Sequence, residues 1–378
     1  MTDFNFQMYT IWEWILIIAL FLFFLIQLYF ILRYFLRILF LKPAPESIFE
    51  NHISVVVPVR NEEEKIQSII EELLSQQFSN FELIMVDDHS MDRTFELLFS
   101  LTKKYKNVKY TGIAQDVRFS EKMNINLGMK AAKATWIVFT DAEVPDRDRE
   151  WLKKLNCYIN DDVDAVIGYS NVVRGKGFLR FFFRLEKMWQ FLQGTAFTLG
   201  GRTFIADQNN VLMRKKIYFE AGGFRQHINK HYANLELILN EKIDSKRIRV
   251  ATGNVAVLST IDENYDMSFR NLVKKSMQIR KNLSVFSRMA LFMDEYSRIA
   301  LISAFTLLFI FRPLYWEFSF ILLFIYLLLL FIVLVSNQKR LKEQKIYLSS
   351  LVYMLIRPLF VVLIGLLMFI KDRRDRWI

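Results

Sequence analysis

Phe81-Glu82-Leu83-Ile84-Met85-Val86-Asp87-Asp88-His89-Ser90 is the stretch that decides the fold, because a strand-like apolar run ends there in two carboxylates. Thr135-Trp136-Ile137-Val138-Phe139-Thr140-Asp141-Ala142-Glu143 repeats the pattern further along the chain. A strand that ends in carboxylates places negative charge at the carboxyl edge of a sheet, where open α/β folds bind ligands. A ligand that tolerates so many carboxylates arrives with a divalent cation, so the pattern favours a metal-bound nucleotide diphosphate.

Further strand and helix patterns alternate around these two strands. Ile53-Ser54-Val55-Val56-Val57-Pro58 predicts a buried strand, and Lys109-Tyr110-Thr111 predicts an edge strand. Asn61-Glu62-Glu63-Glu64 predicts the first turn of a helix, since acidic side chains favour the amino end of a helix. Residues 164–172 predict another strand, and residues 178–197 predict a long aromatic-rich helix. The alternation predicts an α/β fold with a right-handed, mostly parallel sheet flanked by helices.

The composition limits the classes of function. The chain has 378 residues and a net charge of +11, but its basic residues cluster beside long apolar runs, as on the cytoplasmic flanks of membrane segments. No known nucleic-acid-binding module is recognisable, so membrane lipids rather than nucleic acid explain the charge. The single Cys157 excludes an intramolecular disulfide, and four scattered histidines do not predict a zinc site. Any metal is expected to be a hard ion held by oxygen.

Apolar runs at both ends predict membrane segments. The run from Ile11 to Leu41 exceeds the roughly 20 residues that span a bilayer, and Trp12 and Trp14 suit interfacial anchors. Because the run lacks a positive amino-terminal region and a small-residue cleavage site, we expect a retained transmembrane helix rather than a signal peptide. Its basic carboxyl flank predicts that residues from 42 onward face the cytoplasm. Together, the apolar runs at both ends predict a multi-pass protein of the cytoplasmic membrane.

The carboxyl-terminal part contains further apolar stretches. Ile299 to Val335 is long enough for a two-span hairpin, and Tyr347 to Ile370 is long enough for another segment. Arg357-Pro358 interrupts the last stretch and leaves open a re-entrant or interfacial hairpin, which would return the basic tail to the cytoplasm. Basic and apolar residues interleave from Arg270 to Arg288, which predicts an interfacial helix at the membrane surface.

These patterns divide the chain into four parts. We expect a transmembrane helix and linker in residues 1–45, a cytoplasmic α/β domain in 46–265, interfacial amphipathic helices in 266–297, and transmembrane helices with a basic tail in 298–378. The second part is long enough to bury a core of its own.

The order of the motifs resembles the family 2 glycosyltransferases with the GT-A fold, of the bacterial membrane-anchored type. A strand leads into Pro58-Val59-Arg60-Asn61-Glu62, followed by Asp87-Asp88-His89-Ser90, Lys122 and Asp141-Ala142-Glu143. The resemblance implies a membrane-bound enzyme that transfers a sugar, with inversion, from a UDP- or GDP-linked donor. It also implies a lipid-linked or envelope polysaccharide acceptor, and a GT-A nucleotide-diphospho-sugar transferase fold.

The predicted metal ligands are Asp141 and Glu143, which implies Mg2+ or Mn2+ as cofactor. A divalent cation that bridges two phosphates neutralises the charge that develops when the nucleotide leaves. Carboxylates at positions i and i+2 of a turn can hold that cation while phosphates and waters complete its shell. The family usually has Asp at the third position, where this chain has Glu143. Two solvated turn acids are the alternative interpretation.

The resemblance assigns six residues to the donor nucleotide. Asp87 and Asp88 would meet the base, ribose or metal, and Lys122 would face the diphosphate as a point charge. Glu62 would line the base pocket, although a charge at the amino end of a helix is its alternative role. The full set is Pro58, Asn61, Glu62, Asp87, Asp88 and Lys122.

The acceptor side matches the family less closely. An inverting transfer needs a general base near the acceptor hydroxyl, and relatives carry acids after a Gly-Gly-Phe-like turn such as Gly222-Gly223-Phe224. The corresponding positions here are Asn234, Leu235 and Glu236, so Glu236 is the predicted catalytic base beside the catalytic metal ligand Asp141. His231 is a second candidate, and a structural role of Glu236 on a helix stays open.

The last element would close over the diphosphate and acceptor. The family's Gln-x-x-Arg-Trp motif is approximated by Gln278-Ile279-Arg280-Lys281-Asn282, in which Gln278, Arg280 and Lys281 keep the polar character. Asn282 stands where the motif has an aromatic residue. These departures motivate a second hypothesis of another class, a catalytically silent membrane protein that binds nucleotide or scaffolds a partner enzyme. A processive polymer synthase is a third possibility, which the poor match of this element disfavours.

Overall fold

The computed structural model describes residues 10–43, 47, 49–114, 120–142, 144, 147–173, 177–251, 253–260, 265–311, 316–341, 343 and 345–374. Glu143 lies outside this set, so its predicted role as a metal ligand has no structural description. The chain divides into two compact units. Residues 41–283 and 340–343 form the sheet-containing unit, and residues 1–40, 284–339 and 344–378 form the helical unit.

The sheet-containing unit is built on a mixed sheet of seven strands among the described residues, in the order β3-β2-β1-β4-β7-β5-β8. Strand β7 is antiparallel to both of its neighbours, and the other pairs are parallel. A separate parallel pair joins β6 to β9. The predicted α/β fold with a mostly parallel sheet is confirmed. The strands are β1 (Ile53–Val59), β2 (Phe81–Asp87), β3 (Val108–Gly112), β4 (Trp136–Phe139), β5 (Ala165–Ile167), β6 (Ser170–Val172), β7 (Val211–Arg214), β8 (Ile248–Val250) and β9 (Leu258–Thr260).

Helices cover both faces of the sheet, so alternate residues of β1 enter two different cores. Val55 and Val57 pack with Ile70, whereas Val56 packs with Ile125 on the other face. A strand buried on both faces is continuously apolar, as this stretch of sequence is. Among the described residues the α-helices are α1 (Ile11–Arg33), α2 (Ile66–Leu74), α3 (Thr94–Lys104), α4 (Ser120–Ala131), α5 (Trp151–Asn156), α6 (Phe178–Leu199), α7 (Lys215–Glu220), α8 (Leu235–Lys242), α9 (Tyr265–Lys281), α10 (Val285–Phe311), α11 (Trp316–Arg340) and α12 (Tyr347–Arg374).

Two predicted elements differ from the structure. The helix expected to open at Asn61 begins at Ile66, because Asn61 has a φ of 54° and its side chain accepts a hydrogen bond from the Met91 amide. The single strand expected over residues 164–172 is divided into β5 and β6, which belong to different sheets. The division falls at Gly168, whose amide donates to the carbonyl oxygen of Asn210.

The helix predicted from Arg270 to Arg288 is two helices in different units. Helix α9 ends at Lys281, and Arg288 lies in α10. Helix α9 packs against α6 within the sheet-containing unit, and its Lys274 donates to the hydroxyl of Tyr232. Amphipathic spacing alone does not distinguish a helix that packs on protein from one that lies on lipid. The prediction of one interfacial helix was therefore wrong in its bounds.

The helical unit contains α1, α10, α11 and α12. Three stretches of the described residues are long and apolar enough to cross a membrane, namely Ile11–Phe40, Glu317–Arg340 and Tyr347–Leu367. Helix α12 continues through Pro358, so it is not the re-entrant hairpin that Arg357-Pro358 left open. Charged groups inside the unit are paired: Arg298 donates to Asp294 at 2.8 Å and Arg357 donates to Glu295 at 2.6 Å. Such pairing is expected where charges are removed from water.

Glu82 of β2 ties together the starts of four strands. Its carboxylate accepts hydrogen bonds from Ser54 of β1 at 2.6 Å and from the Lys133 amide before β4 at 2.6 Å. Lys109 of β3 forms an ion pair with the same carboxylate. Burial opposes ionisation, but the Lys109, Ser54 and Lys133 donors lower the pKa of Glu82 to about 2. Glu82 therefore stabilises the sheet as an ion.

We expect Glu82→Gln to destabilise the solubilised full-length protein at neutral pH. The ordinary pKa of 4.5 falls to about 2 on folding, which corresponds to about 3 kcal/mol of stability. Because the folded-state pKa is the lower one, this stability is complete above pH 4.5 and disappears as the pH falls towards about 2. Denaturant unfolding at a series of pH values measures it, with exposed Glu96→Gln as control. If Glu82→Gln lowers the free energy of unfolding equally at neutral and acidic pH, the assignment of Glu82 as a stabilising ion is contradicted.

Candidate active site

A cleft of about 720 Å³ opens at the carboxyl edge of the sheet. It is lined where β1, β2 and β4 end, because parallel strands bring their carboxyl ends to one edge. Its volume lies in the range of about 300–1,000 Å³ that is common for ligand sites. The polar lining residues are Asp88, Glu121, Lys122, Asn124, Thr140, Asp141, Gln208, Asn209, His231, Tyr232, Asn271 and Lys275.

Asp141 is held in a fixed orientation at the floor of this cleft. The Asn209 amide nitrogen donates to both carboxylate oxygens, at 2.9 and 3.0 Å. Arg147 donates to the Asp141 carbonyl oxygen at 2.9 Å, and also pairs with Glu72. Burial and the nearby Asp207 raise the pKa of Asp141, although neighbouring cations oppose this. A carboxylate whose ionised form is disfavoured by burial gains most from a bound cation.

Asn210, next to Asn209, fixes the point where β7 begins. Its side chain accepts from the Trp151 indole at 2.9 Å and donates to the carbonyl oxygens of Tyr169 at 2.9 Å and Ala256 at 2.8 Å. The residue is fully buried and has a φ of 62°, a conformation in which Asn is among the few tolerated residues. These bonds connect four segments and set the position of Asn209.

The donor motifs separate into cleft-facing and supporting residues. Pro58 and Asp88 line the cleft. The Asp87 carboxylate is buried and accepts from the Ser90 hydroxyl at 2.5 Å and amide at 3.2 Å, so it braces the turn. The Asn61 and Glu62 amides donate to Ser90 and Thr94, which ties this segment to the same turn. Asn61 and Glu62 are not among the residues that line the cleft.

Lys122 lines the cleft but its ammonium is directed to the loop before α8. It donates to the carbonyl oxygens of Lys230 at 2.5 Å and Ala233 at 3.2 Å, and to the Asn234 side chain at 2.8 Å. Burial lowers the pKa of Lys122, against the effect of nearby carboxylates. In this arrangement Lys122 holds the loop that carries the acceptor-side residues.

Glu236 lies in the first turn of α8 and is fully buried. One carboxylate oxygen accepts from the Asn234 amide at 3.0 Å, and the other lies 2.5 Å from the ammonium of Lys275. Glu236 is not among the residues that line the cleft, whereas His231 is. The predicted base is therefore behind Lys275 as seen from the cleft.

Lys275, Asp207 and Lys187 form a charge cluster that sequence reasoning missed. Lys275 lies 3.2 Å from Asp207, and Lys187 lies 3.8 Å from the same carboxyl group. Although burial opposes the charge, Glu236 and Asp207 raise the pKa of Lys275 above its ordinary value. Asp207 lies directly before Gln208-Asn209-Asn210, a run of polar residues ahead of a strand, which was the available signal. Lys275 lies within the Arg270 to Arg288 stretch, whose pattern predicts a membrane-surface helix.

The predicted closing element is placed beside α6 rather than in the cleft lining. Arg280 donates to Gln193 at 2.6 Å and lies over the Phe204 ring. The Gln278 carbonyl oxygen accepts from the Asn282 side chain at 2.7 Å, and Lys281 is exposed at the end of α9. Among the described residues of α9, Asn271, Leu272 and Lys275 are the ones that line the cleft.

The donor set fits a hard divalent cation. Asp141 offers an oriented carboxylate, and Asp88 lines the same cleft. The described residues contain no cluster of three or more acidic, histidine or cysteine side chains that could hold an ion alone. An ion would therefore need phosphate oxygens and water to complete its shell, as Mg2+ commonly does with nucleotides.

The geometry agrees with a comparison against known families. Residues 54–221, which contain the strands and motifs described above, match the model of glycosyl transferase family 2. The chain contains a family 2 glycosyltransferase domain. The mannosyltransferase PcManGT from Pyrobaculum calidifontis, solved in complex with GDP-Man and Mn2+, has a similar fold, with a TM-score of 0.53 and 15% identity over 91% of this chain and 98% of that one. The expected GT-A fold is thereby confirmed.

Curated relatives align with about a third of this chain. An uncharacterized glycosyltransferase of Haemophilus influenzae is 27% identical over 124 residues, which are 32% of this chain and 37% of the relative. The poly(ribitol-phosphate) beta-N-acetylglucosaminyltransferase TarP of Staphylococcus aureus is 30% identical over 127 residues, which are 33% of this chain and 38% of the relative. The chain thus spans well under half the length of these curated relatives.

We expect Asn210→Ala to destabilise the family 2 domain strongly. The change removes the acceptor of the Trp151 indole and the donor to the Ala256 carbonyl oxygen, and leaves the Tyr169 carbonyl oxygen with only the Leu258 amide. It also places Ala at a positive φ, for a combined cost of about 3 kcal/mol or more. Asn209→Ala is the matched control, because it removes only the contact with Asp141 and should cost about 1 kcal/mol. Thermal unfolding of both variants compares them. Equal losses would contradict the role given to Asn210.

Proposed function

We propose that this protein is a metal-dependent, inverting glycosyltransferase that uses a nucleotide-diphosphate sugar. The observation that carries the proposal is the cleft at the carboxyl edge of the sheet, where Asp88 and Asp141 share a surface with the cation of Lys275. A ligand with phosphates and a divalent ion matches this mixture of charges, since the carboxylates meet the ion and the ammonium meets the phosphates. The family 2 domain and the Mn2+ in the mannosyltransferase complex support this interpretation.

The metal site we propose consists of Asp141 with Glu143, occupied by Mg2+ or Mn2+. The ion would neutralise the diphosphate as it leaves. Asn209 keeps both oxygens of Asp141 in place, so the carboxylate does not need to reorient when the donor binds. Asp88 and Pro58 would contact the nucleotide from the cleft wall, with Asp87, Asn61 and Glu62 supporting them through the Ser90 turn.

For the acceptor side, we propose Glu236 as general base and a lipid-linked or cell-envelope saccharide as acceptor. Poly(ribitol-phosphate) transferases among the relatives support an envelope polymer. The three apolar stretches support attachment to a membrane, and we place the family 2 domain on the cytoplasmic side because basic residues follow the first stretch. Gln278, Arg280 and Lys281 would then act from α9 when the cleft closes.

A second candidate function is a catalytically silent nucleotide-binding protein. Its supporting observation is that Glu236 is fully buried and paired with Lys275, so it does not face the cleft in this arrangement. Screening UDP- and GDP-linked sugars for donor hydrolysis separates the two functions. Hydrolysis or transfer by the purified protein excludes the silent function, whereas nucleotide binding without turnover across the panel supports it.

We expect Asp141→Asn to remove metal-dependent nucleotide binding. The variant keeps the size of the side chain but loses the charge that would hold the ion, so affinity for UDP or GDP with Mn2+ should fall about 100-fold, equivalent to about 2.7 kcal/mol. Calorimetry with and without Mn2+ measures the change. Asp162→Asn, at an exposed carboxylate, is the control. Turnover and metal dependence that survive in Asp141→Asn would overturn the site.

We expect Glu236→Gln to lower kcat by about 10²–10⁴, the usual contribution of a general base, without weakening nucleotide binding. The amide keeps the shape of the carboxylate but cannot accept the acceptor's proton. Glu241→Gln lies on the same helix and is exposed, so it serves as control. Steady-state transfer assays give the comparison. Unchanged kcat would assign the base elsewhere, with His231 of the cleft lining as the next variant to test.

A further inference from the structure

The charge cluster at Lys275 occupies the boundary between the donor cleft and Glu236. The Lys275 side chain is 18% exposed and lines the cleft, whereas Glu236 is 0% exposed and does not. The ammonium lies 2.5 Å from Glu236 and 3.2 Å from Asp207. Burial raises the pKa of Asp141, and Lys275 is among the cations that oppose this rise, so its charge reaches the proposed metal ligand. The Lys275 side chain therefore faces both the cleft and the carboxylate of Glu236.

We propose that Lys275 binds the donor's diphosphate and that, in doing so, it releases Glu236 to act as the base. The proposal rests on the proposed function and identifies Lys275 as a further donor-binding residue. In the structure Lys275 holds Glu236 as an ion pair. When a diphosphate enters the cleft, the ammonium turns towards the phosphate oxygens, and Glu236 is left with its backbone hydrogen bond from Asn234.

The charge balance of the cluster supports this exchange. Two carboxylates, Asp207 and Glu236, are matched by two ammoniums, Lys187 and Lys275. When Lys275 leaves, Lys187 still pairs with Asp207, whereas Glu236 loses its ion pair and keeps only the more distant charge of Lys122. A buried carboxylate that loses a paired cation is more ready to accept a proton, which is what a general base must do. The donor thus activates the base only when it is bound.

The mobility that this exchange needs is available to Lys275. A lysine has a long, flexible side chain with a point charge, so its ammonium can change partners by rotation alone. Lys122, the other lysine of the cleft lining, donates to two backbone carbonyl groups and to Asn234, which fix it to the loop before α8. Both partners of Lys275 are carboxylates, and neither of them lines the cleft.

The exchange predicts an effect on binding that does not depend on turnover. Glu236→Gln removes the partner that competes with the diphosphate for Lys275, so UDP or GDP with Mn2+ should bind the variant more tightly than the wild type, by about fivefold or more. In a Lys275→Met background the same Glu236→Gln change should have no effect on affinity. Lys275→Arg should keep most of the wild-type affinity, because it keeps the charge.

Calorimetric titration of the solubilised full-length protein with UDP and GDP tests the inference. The set comprises the wild type, Glu236→Gln, Lys275→Met, Lys275→Arg and the double variant, with Arg270→Met, an exposed position of the same helix, as control. The double variant removes one carboxylate together with the cation, so it avoids leaving Glu236 buried and unpaired. If Lys275→Met does not fold, the double variant supplies the measurement without Lys275 and should bind no more tightly than the wild type, and equal or weaker binding by Glu236→Gln still overturns the exchange.

The outcomes distinguish failure of the exchange from failure of the proposed function. Tighter binding by Glu236→Gln that disappears without Lys275 supports the exchange. Equal or weaker binding by Glu236→Gln, or tighter binding that persists without Lys275, overturns the exchange and leaves the nucleotide-sugar function standing. A wild type that binds neither nucleotide, with or without Mn2+, overturns the proposed function and the exchange with it.

Discussion

The buried side chain of Asn210 is the constraint on which the site depends. It accepts from the indole of α5 and donates to carbonyl oxygens before β6 and before β9, so it joins the start of β7 to three other segments. Gly168 has no side chain because a Cβ there would lie 2.3 Å from the Asn210 amide nitrogen. The antiparallel strand β7 is therefore anchored where it begins, and Asn209 is placed beside Asp141 as a result.

Two structural principles meet at this point. Parallel pairing brings the ends of β1, β2 and β4 to one edge and concentrates carboxylates there. Antiparallel β7, which pairs with β4, delivers Asp207 and Asn209 to the same edge from the opposite direction. Carboxylates that are crowded in this way repel each other, and Lys187 and Lys275 supply the opposite charge. The site is consequently a balanced set of charges rather than an acidic patch.

Local sequence patterns predicted most of the sheet and several of the residues that line the cleft. The continuous apolar strands and the acids that follow them depend on short-range chemistry, and Asp88 and Asp141 do line the cleft. The Asn61 helix was misplaced because the Asn61 and Glu62 amides are tied to Ser90 and Thr94, which are contacts between distant segments. The role of Lys275 was hidden for the same reason: a lysine on an amphipathic helix has one pattern whether it meets lipid, water or a buried carboxylate.

The proposed acceptor side differs from the proposed donor side in how its carboxylate is held. On the proposed donor side, Asn209 orients Asp141 through contacts within the protein itself. Glu236, in contrast, does not face the cleft, because it is buried, paired with Lys275 and held by the first turn of its own helix. In the exchange that we propose, Glu236 is covered by Lys275 until the donor's charge draws the ammonium away, so proton removal is coupled to donor binding. Because Asn234 and Leu235 stand at the positions that are acidic in the resembled motif, the proposal gives this one carboxylate both the control and the chemistry.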